Sequence, residues 1–499
     1  MSDSPLVLAV DSSTTGTKAL VVEADGTVVA RGRAEFGMAN PRKDHYEQDA
    51  ADWVTAADTA IGEAVAALDD ADRHRVAALC VTPQRQTFVL CDADGTPRRP
   101  AILWLDGRAA DQVARLGTDR VHQLSGMVPD VTPSLYKLAW LAEHESDALA
   151  AAERVAGVHA YLTHAFTGEW LDSRATADSL GLFDMAALDW APELLDAAGV
   201  RPDQLPGLVD AAAVMAPVTP DVARRWGLPG PIPMVAGCGD GQAAGLGAAA
   251  TRPDEGYLNM GTAVVAGVHA EAYRHGAVYR TDAAGLPGQY VLEVVQNSGA
   301  YLAGWFRTEL GDPALHGAPD PALEAAASAL PAGADGLLTL PYWNAVQSPH
   351  WDPRARGAMV GFAGNHGRAA MYRSVLEGIC LETGRNLRAL AEATGTPLSS
   401  IRIMGGGQRS ELWRTIMANC VDVPLVACTE AEVSALGAAA MAMAAATDAD
   451  VASCARAMGR LGEVTEPDPA LVARYAEIGA VQGELYGRLR DVFARLDAL

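Results

Sequence analysis

Two short stretches of hydroxyl-bearing and glycine residues stand out first, each set between apolar runs. Asp11 to Lys18 reads DSSTTGTK, and Met260-Gly261-Thr262 holds the corresponding place in the second half of the chain. Hairpin turns of this composition point backbone N–H groups and hydroxyls into one space, which suits a polyphosphate. Ser13 to Lys18 and Gly261-Thr262 are therefore candidate phosphate cradles, with Lys18 adding a cationic contact. Asp11, at the end of a strand, could hold Mg²⁺ directly or through water. Either stretch alone also reads as an ordinary polar hairpin loop; their parallel positions favour the phosphate reading.

A third segment, Gly237-Cys238-Gly239-Asp240-Gly241-Gln242, follows an apolar strand and precedes a helix read from Gln242 to Ala250. A single carboxylate in such a turn suits general base work, and it equally suits an N-cap. Thr82-Pro83-Gln84-Arg85-Gln86-Thr87 follows a buried strand, with Trp104, Asp106 and Arg108 shortly after. Amides, a guanidinium and an indole form a wall able to bind a polyhydroxyl compound; a surface loop with a solvated arginine is the plainer reading. Gly405-Gly406-Gly407, between a strand and a helix, permits close approach of a ring or ribose to the backbone. The histidines show no metal-ligand spacing, and GxxxxGK[ST], GxGxxG and protein-kinase motifs are absent.

The elements that must carry these segments repeat. Leu6–Val10 is a continuous apolar run suited to a buried strand, followed by strands at 19–22 and 28–31. A helix capped near Asp49 carries the stripe Trp53, Ala57, Ile61, Val65 and Leu68. Val76–Val81 then completes a βαβ unit, and Phe88–Cys91 is a further strand. Strand, small polar turn and strand recur at 256–268. A helix at 368–393, a strand at 401–404, a helix at 410–419, a strand at 425–427 and an Ala-rich helix at 433–445 follow. The tail from Pro469 reads as an amphipathic helix. Three antiparallel strands, a helix and another strand open a ribonuclease-H-like layer fold. The pattern breaks at Thr251-Arg252-Pro253-Asp254, which predicts domains over 1–248 and 255–499 packed around a cleft.

The chain has 499 residues, with 38 Lys and Arg against 62 Asp and Glu, a net charge of −24. That balance argues against nucleic acid and against anionic membrane surfaces as partners. Seven cysteines without CxxC spacing read as reduced, buried thiols of a cytoplasmic enzyme. The N-terminus lacks a basic region and a long apolar run, so no signal peptide is expected, and no apolar stretch spans a bilayer. Lysine is confined to Lys18, Lys43 and Lys137.

Taken in order, the segments resemble the FGGY carbohydrate kinases, the family of xylulokinase, glycerol kinase and ribulokinase. The matching text runs from Leu6 to about Met443. It includes AVDSSTTGTKALVV, EQDAADW, TPQRQTFVLCDADGTPRRPAILWLDGRA, SLYKLAWL, GCGDGQAAGLG, YLNMGTAV, LPYWNAVQSPHWDPRARGAMVGF, RSVLEGI and MGGGQRSELWRTIMAN. The resemblance implies an actin-like α/β fold of two ribonuclease-H-like domains, with ATP and substrate in the cleft between them. It implies that Asp240 takes the proton from a substrate hydroxyl and that Asp11 helps place Mg²⁺. Thr14, Thr15, Lys18, Gly261 and Thr262 would hold phosphates. Gly406, Gly407 and Ser410 would lie near the adenosine. Arg85, Gln86 and Trp104 match positions that contact the polyol in glycerol kinase, and Gln84 and Gln242 are counted with them as substrate-binding. Xylulokinases usually carry Ser-Gly-Gln-Met-His where this chain has Thr82 to Gln86, and glycerol kinases carry Asn-Gln-Arg-Glu-Thr. Gly241 intervenes between Asp240 and Gln242, and the stretch from Tyr342 to Gln347 lacks the usual Gly-Glu-Arg.

The resulting expectation is ATP-dependent phosphorylation of a ketopentose such as xylulose. A polyol (glycerol or a four- or five-carbon alditol) is the alternative. From another class come an actin- or chaperone-type ATPase without a sugar and a catalytically silent sugar sensor; Asp11, Lys18 and Asp240 together argue against the sensor. The partner is a small sugar or polyol, and assembly as a homodimer is left open.

Overall fold

Leu6 to Val10 are all fully buried, as a strand covered on both faces must be. In the computed structural model, which describes residues 4–497, this run is the centre of a six-stranded sheet. Its strands are β1 (Leu6–Ser12), β2 (Gly16–Val22), β3 (Val28–Glu35), β4 (Val76–Pro83), β5 (Val214–Pro217) and β6 (Pro233–Val235), in the spatial order β5-β6-β4-β1-β2-β3. β1, β2 and β3 form an antiparallel meander. β4 is parallel to β1 and β6 is parallel to β4. Helix α1 (Ala50–Ala66), capped by the Asp49 carboxylate, makes the crossover from β3 to β4, and α2 (Asp240–Gly247) follows β6.

The second sheet repeats this plan. It contains β7 (Glu255–Met260), β8 (Val264–Ala270), β9 (Arg280–Ala283), β10 (Tyr290–Gln296), β11 (Ser400–Met404), β12 (Leu425–Cys428) and β13 (Leu461–Thr465), ordered β9-β10-β8-β7-β11-β12-β13. The series β10-β8-β7-β11-β12 matches β3-β2-β1-β4-β6 in order and direction. Here α3 (Arg368–Thr394) is the crossover, α4 (Glu411–Val421) joins β11 to β12, α5 (Val433–Thr447) follows β12, and α6 (Pro469–Asp497) ends the chain. The arrangement is two ribonuclease-H-like domains of the actin-like ATPase type. Among the described residues, no helix is long and apolar enough to cross a membrane, and all seven cysteines are free and buried.

The period-2 alternation of β1 and β2 separates two cores. Leu6, Leu8, Val10, Ala19 and Val21 pack with Trp53, Ala57, Ile61 and Val65 of α1. Val7, Ala9, Leu20 and Val22 face the other way and join the core of the second domain. Phe88–Cys91, read from sequence as a further strand, belongs to a separate five-stranded sheet with segments 39–42, 45–48, 101–102 and 154–157. Its apolar residues Phe88 and Leu90 pack in a core of their own, with Leu135, Leu138 and Leu141. A strand of that composition is compatible with either sheet, and only long-range pairing decides between them.

The domains meet where α2 crosses α5. A methyl group on Gly247 would lie 1.9 Å from the Val433 carbonyl oxygen, and one on Gly437 would lie 2.0 Å from that of Ala243. Small residues at the crossing bring the two backbones into direct contact, and any side chain must drive them apart. Gly437→Val is expected to lower the unfolding free energy by about 2–3 kcal/mol, read from urea denaturation. The control Gly62→Ala, inside α1 with nothing within 4 Å of the added carbon, is expected to raise it by ~0.5–1 kcal/mol.

Candidate active site

The turn carrying Asp240 is fixed from four sides. Gly237 N–H donates to His159 Nε2 at 3.2 Å, Thr82 Oγ1 donates to the Cys238 carbonyl at 2.7 Å, and Gly239 N–H donates to the Ala175 carbonyl at 3.0 Å. Ser434 Oγ, from α5, donates to the Asp240 carbonyl at 3.1 Å. The helix starts two residues earlier than its sequence suggested: Asp240 is the first helical residue and Gly239 its N-cap, without a side-chain cap. Thus Asp240 is not the N-cap, and its carboxylate is left for other work. Flanking glycines are needed because Arg85 lies against the backbone here. A methyl on Gly239 would sit 2.4 Å from Arg85 Cδ, and one on Gly241 would sit 2.6 Å from Arg85 Nη2.

Arg85 spreads its guanidinium over three carboxylates. Nε donates to Asp240 Oδ1 at 3.1 Å, Nη1 to Asp282 Oδ2 at 3.1 Å, and Nη2 to Glu293 Oε1 and Oε2 at 2.9 and 3.2 Å. Arg280 adds Nε to Glu293 Oε1 at 2.8 Å, and Nη2 to the same oxygen. Burial opposes the charge on Glu293, but Arg280 and Arg85 outweigh it and take the carboxyl down to about 2. Asp178 shows the opposite balance: burial and the neighbouring Asp282 push its carboxyl well up, and it accepts the Ala283 N–H at 2.6 Å. Asp240 alone of these acids reaches solvent, with 41% of its side chain exposed against 1% for Asp282 and 0% for Glu293.

The first polar turn and the polyhydroxyl wall touch. Trp104 Nε1 donates to Thr14 Oγ1 at 3.0 Å. Gln48, from the EQDAADW segment, supports the turn by donating to the Thr14 carbonyl at 2.6 Å and accepting from Trp53 Nε1 at 3.0 Å. Thr15 is exposed. Lys18 pairs across the cleft with Glu432 at 2.6 Å. Asp11 is half-buried, and burial together with the Asp240 charge pushes its carboxyl up to about 7 against the opposing pull of Lys18. Its Oδ1 is buried without a hydrogen-bond partner, an orphan acceptor suited to a cation. No group of three or more His, Cys, Asp or Glu able to hold a metal occurs among the described residues. Any Mg²⁺ there would draw most of its ligands from phosphate and water, as that ion usually does.

The second turn meets the triple glycine. Gly405 has φ +85°, and a methyl on it would lie 2.5 Å from Asn259 Oδ1 and 3.0 Å from Gly261 N, so only glycine fits. Thr262 is exposed beside it, and the Gly261 and Thr262 carbonyls accept N–H groups of the helix Ala300–Leu310. Next to this contact lies a cavity of about 490 Å³ lined by Gly406, Gly407 and Ser410 together with Ala300, Tyr372 and Trp413. Ser410 Oγ caps α4 by accepting the Trp413 N–H at 3.0 Å and donates to Glu324. The remaining wall residues divide. Gln86 (φ +60°) has its amide oxygen 3.4 Å from Arg280 Nη1. Gln84 and Gln242 turn inward: Gln84 accepts from Thr87 Oγ1 and donates to Gln48 Oε1, both at 3.3 Å, and Gln242 Nε2 donates to the Ala175 and Ala283 carbonyls.

Comparison with known proteins agrees with this arrangement. Residues 6–247 match the model of the FGGY family of carbohydrate kinases, N-terminal domain, and residues 256–446 match its C-terminal domain. The chain belongs to the FGGY family of carbohydrate kinases. It is 31% identical to a xylulose kinase of Escherichia coli over 88% of this chain and 90% of that one. It is 32% identical to a glycerol kinase of Bordetella parapertussis over 89% of each. The crystal structure of xylulose kinase from Rhodospirillum rubrum superimposes with a TM-score of 0.91 at 29% identity, covering 98% of this chain and 100% of that one. Membership in a family of carbohydrate kinases replaces the alternative of a filament or chaperone ATPase.

Two supporting residues of this FGGY kinase escaped the sequence reading. His159 is buried, pairs through Nδ1 with Asp172 Oδ1 at 2.8 Å, and offers Nε2 to Gly237. Lys137 is also buried, and its Nζ donates to the carbonyls of Gln86, Leu103, Trp104 and Thr132 at 2.6–3.3 Å. Burial pulls its ammonium down to about 7. One side chain thus clamps the two segments that carry Arg85, Gln86 and Trp104. Lys137→Met, which removes these buried hydrogen bonds, is expected to cost on the order of 3 kcal/mol in the urea unfolding free energy.

Proposed function

We propose that this FGGY kinase transfers the γ-phosphoryl group of ATP to a hydroxyl of a ketopentose such as xylulose, with Asp240 as general base. The observation that carries the reading is the state of the Asp240 carboxylate. Arg85 and the Gly241 N–H hold Oδ1 at 3.1 and 2.8 Å, while the group stays open to the cleft at the junction of the two domains. A carboxylate restrained at one oxygen can orient a hydroxyl with the other and accept its proton late in the transfer.

Phosphoryl transfer of this kind passes through a loose transition state, so positioning and charge neutralisation dominate. The Thr14 and Thr15 turn, Lys18 and the Gly261-Thr262 turn are assigned to the phosphates. The cavity formed by Gly406, Gly407 and Ser410 is assigned to the adenosine. Mg²⁺, when bound, would neutralise phosphate charge; Asp11, with its unpartnered oxygen, is the residue assigned to it. Arg85, Gln86 and Trp104 are assigned to the acceptor, whereas Gln84 and Gln242 support the wall from behind.

Overall similarity to two xylulose kinases supports the ketopentose. A polyol is the second reading, favoured by the Gln84-Arg85-Gln86 sequence and by equal similarity to a glycerol kinase. ADP release measured with xylulose, glycerol and xylitol separates them: xylulose is expected to give the highest kcat/KM, and preference for an alditol would overturn the ketopentose assignment. Asp240→Asn is expected to lower kcat by ~10²–10⁴-fold with ATP affinity, read by calorimetry, unchanged. Native turnover in that variant would refute the base assignment.

A further inference from the structure

Glu293 is fully buried in the middle of β10, on the domain assigned to the nucleotide, and has no part in the roles assigned so far. It accepts from Arg85 Nη2 through both oxygens, from Arg280 through Nε at 2.8 Å and through Nη2, and from the Tyr257 hydroxyl at 3.1 Å. A carboxylate offers about four acceptor positions, and these contacts use them. Each cation it binds reaches a residue of the other domain or comes from there. Arg85 belongs to the first domain and holds Asp240 Oδ1 through Nε. Arg280 lies on β9 and reaches Gln86 Oε1.

The guanidinium is a rigid planar fork. With Nη2 on Glu293 and Nη1 on Asp282, Arg85 can offer Asp240 only Nε. Without Glu293, only the Nη1–Asp282 contact would restrain the guanidinium, and Nη2 could form with Asp240 the two-pronged pair that arginine and carboxylate favour. Both oxygens of the base would then be occupied. The strand carrying Arg280 and Asp282 is also tied to the first domain through its backbone. Thr281 N–H donates to the Gly126 carbonyl at 2.9 Å, and Ala283 N–H donates to Asp178.

Accepting Asp240 as the general base, we propose that Glu293 is a positioning residue which, through Arg85, keeps one oxygen of Asp240 free, so that the base is aligned only when the two domains stand in the relation seen here. Glu293 links the nucleotide-side domain to the base without touching either substrate.

Three variants test this, each assayed with whichever of xylulose, glycerol and xylitol gives the highest rate with the unaltered enzyme. Glu293→Gln leaves two buried cations short of a counter-charge, so it is accompanied by Glu293→Gln/Arg280→Met, which removes one charge of each sign. Glu293→Asp keeps the charge but shortens its reach. Expected for Glu293→Gln and the double variant is a fall in kcat of about 10- to 100-fold, with ATP affinity by calorimetry within about twofold of native, and for Glu293→Asp a smaller fall. Native kcat in the double variant or in Glu293→Asp would overturn the proposal. So would a change confined to KM for the acceptor, which would make Arg85 a binding group only. Asp240→Asn in the same assay keeps the two ideas apart: native turnover there sinks the base itself, whereas an inactive Asp240→Asn beside fully active Glu293 variants sinks only the positioning role.

Discussion

Gly247 and Gly437 let two helix backbones touch, and the geometry of the cleft follows from that contact. The helices occupy equivalent places in the two domains, each following the last parallel strand of its sheet. One of them begins with Asp240 and the other carries Ser434, whose hydroxyl holds the Asp240 carbonyl. The catalytic candidate is therefore built into the crossing itself. Packed interiors do not deform continuously, so a crossing with no side chain between the backbones is a stiff pivot. Displacement of one domain is passed to the first turn of α2 through the Ser434–Asp240 contact.

The charge arrangement around that turn is equally constrained. Two guanidiniums and three carboxylates lie buried within one cluster, an arrangement tolerable only when each ion has partners. Burial and the neighbouring Asp282 push the Asp178 carboxyl upward, which eases the excess of acid there. Glu293 stays ionised because both arginines converge on it. What remains at the rim is Asp240, the only member whose charge faces water. The cluster thus sorts identical functional groups by environment, which is how one set of carboxylates can supply both structure and chemistry.

The sequence shows the two-domain plan clearly, because that plan rests on local signals. The unbroken apolar run at Leu6–Val10 has to be covered on both faces, and the α1 stripe from Trp53 to Val65 has the helical period. The triple glycine and both polar turns are likewise visible, and the structure brings Gly405 against Gly261. The ionic cluster is not visible in this way. Arg85 meets Asp240, Asp282 and Glu293 across 155, 197 and 208 positions, and no periodicity encodes such distances. A signal was present all the same. Glu293 interrupts the strand YVLEVVQ, and Lys137 interrupts SLYKLAWL. A charge inside a run that must be buried is costly unless paired, so such residues mark ionic networks even when their partners cannot be named. Helix onset at Asp240, rather than at Gln242, was hidden because glycines on both sides mask where the helix begins.

The commitment of Arg85 and Arg280 bears on how an acidic protein meets a triphosphate. Both guanidiniums nearest the base are already bound to carboxylates, so on the proposed reading they add little to phosphate binding. On that same reading the task is assigned to neutral N–H groups of the turns, to a metal ion at Asp11 and to Lys18. Lys18 is paired with Glu432, but the pair is open to solvent, with 47% and 22% of the two side chains exposed, and exposed pairs are worth only about 0–1 kcal/mol. A triphosphate can therefore take Lys18 from Glu432 at small cost, whereas taking Arg85 from Glu293 would strand a buried charge. The difference in burial between these two ion pairs separates a cation free to change partners from one that has to stay where it is.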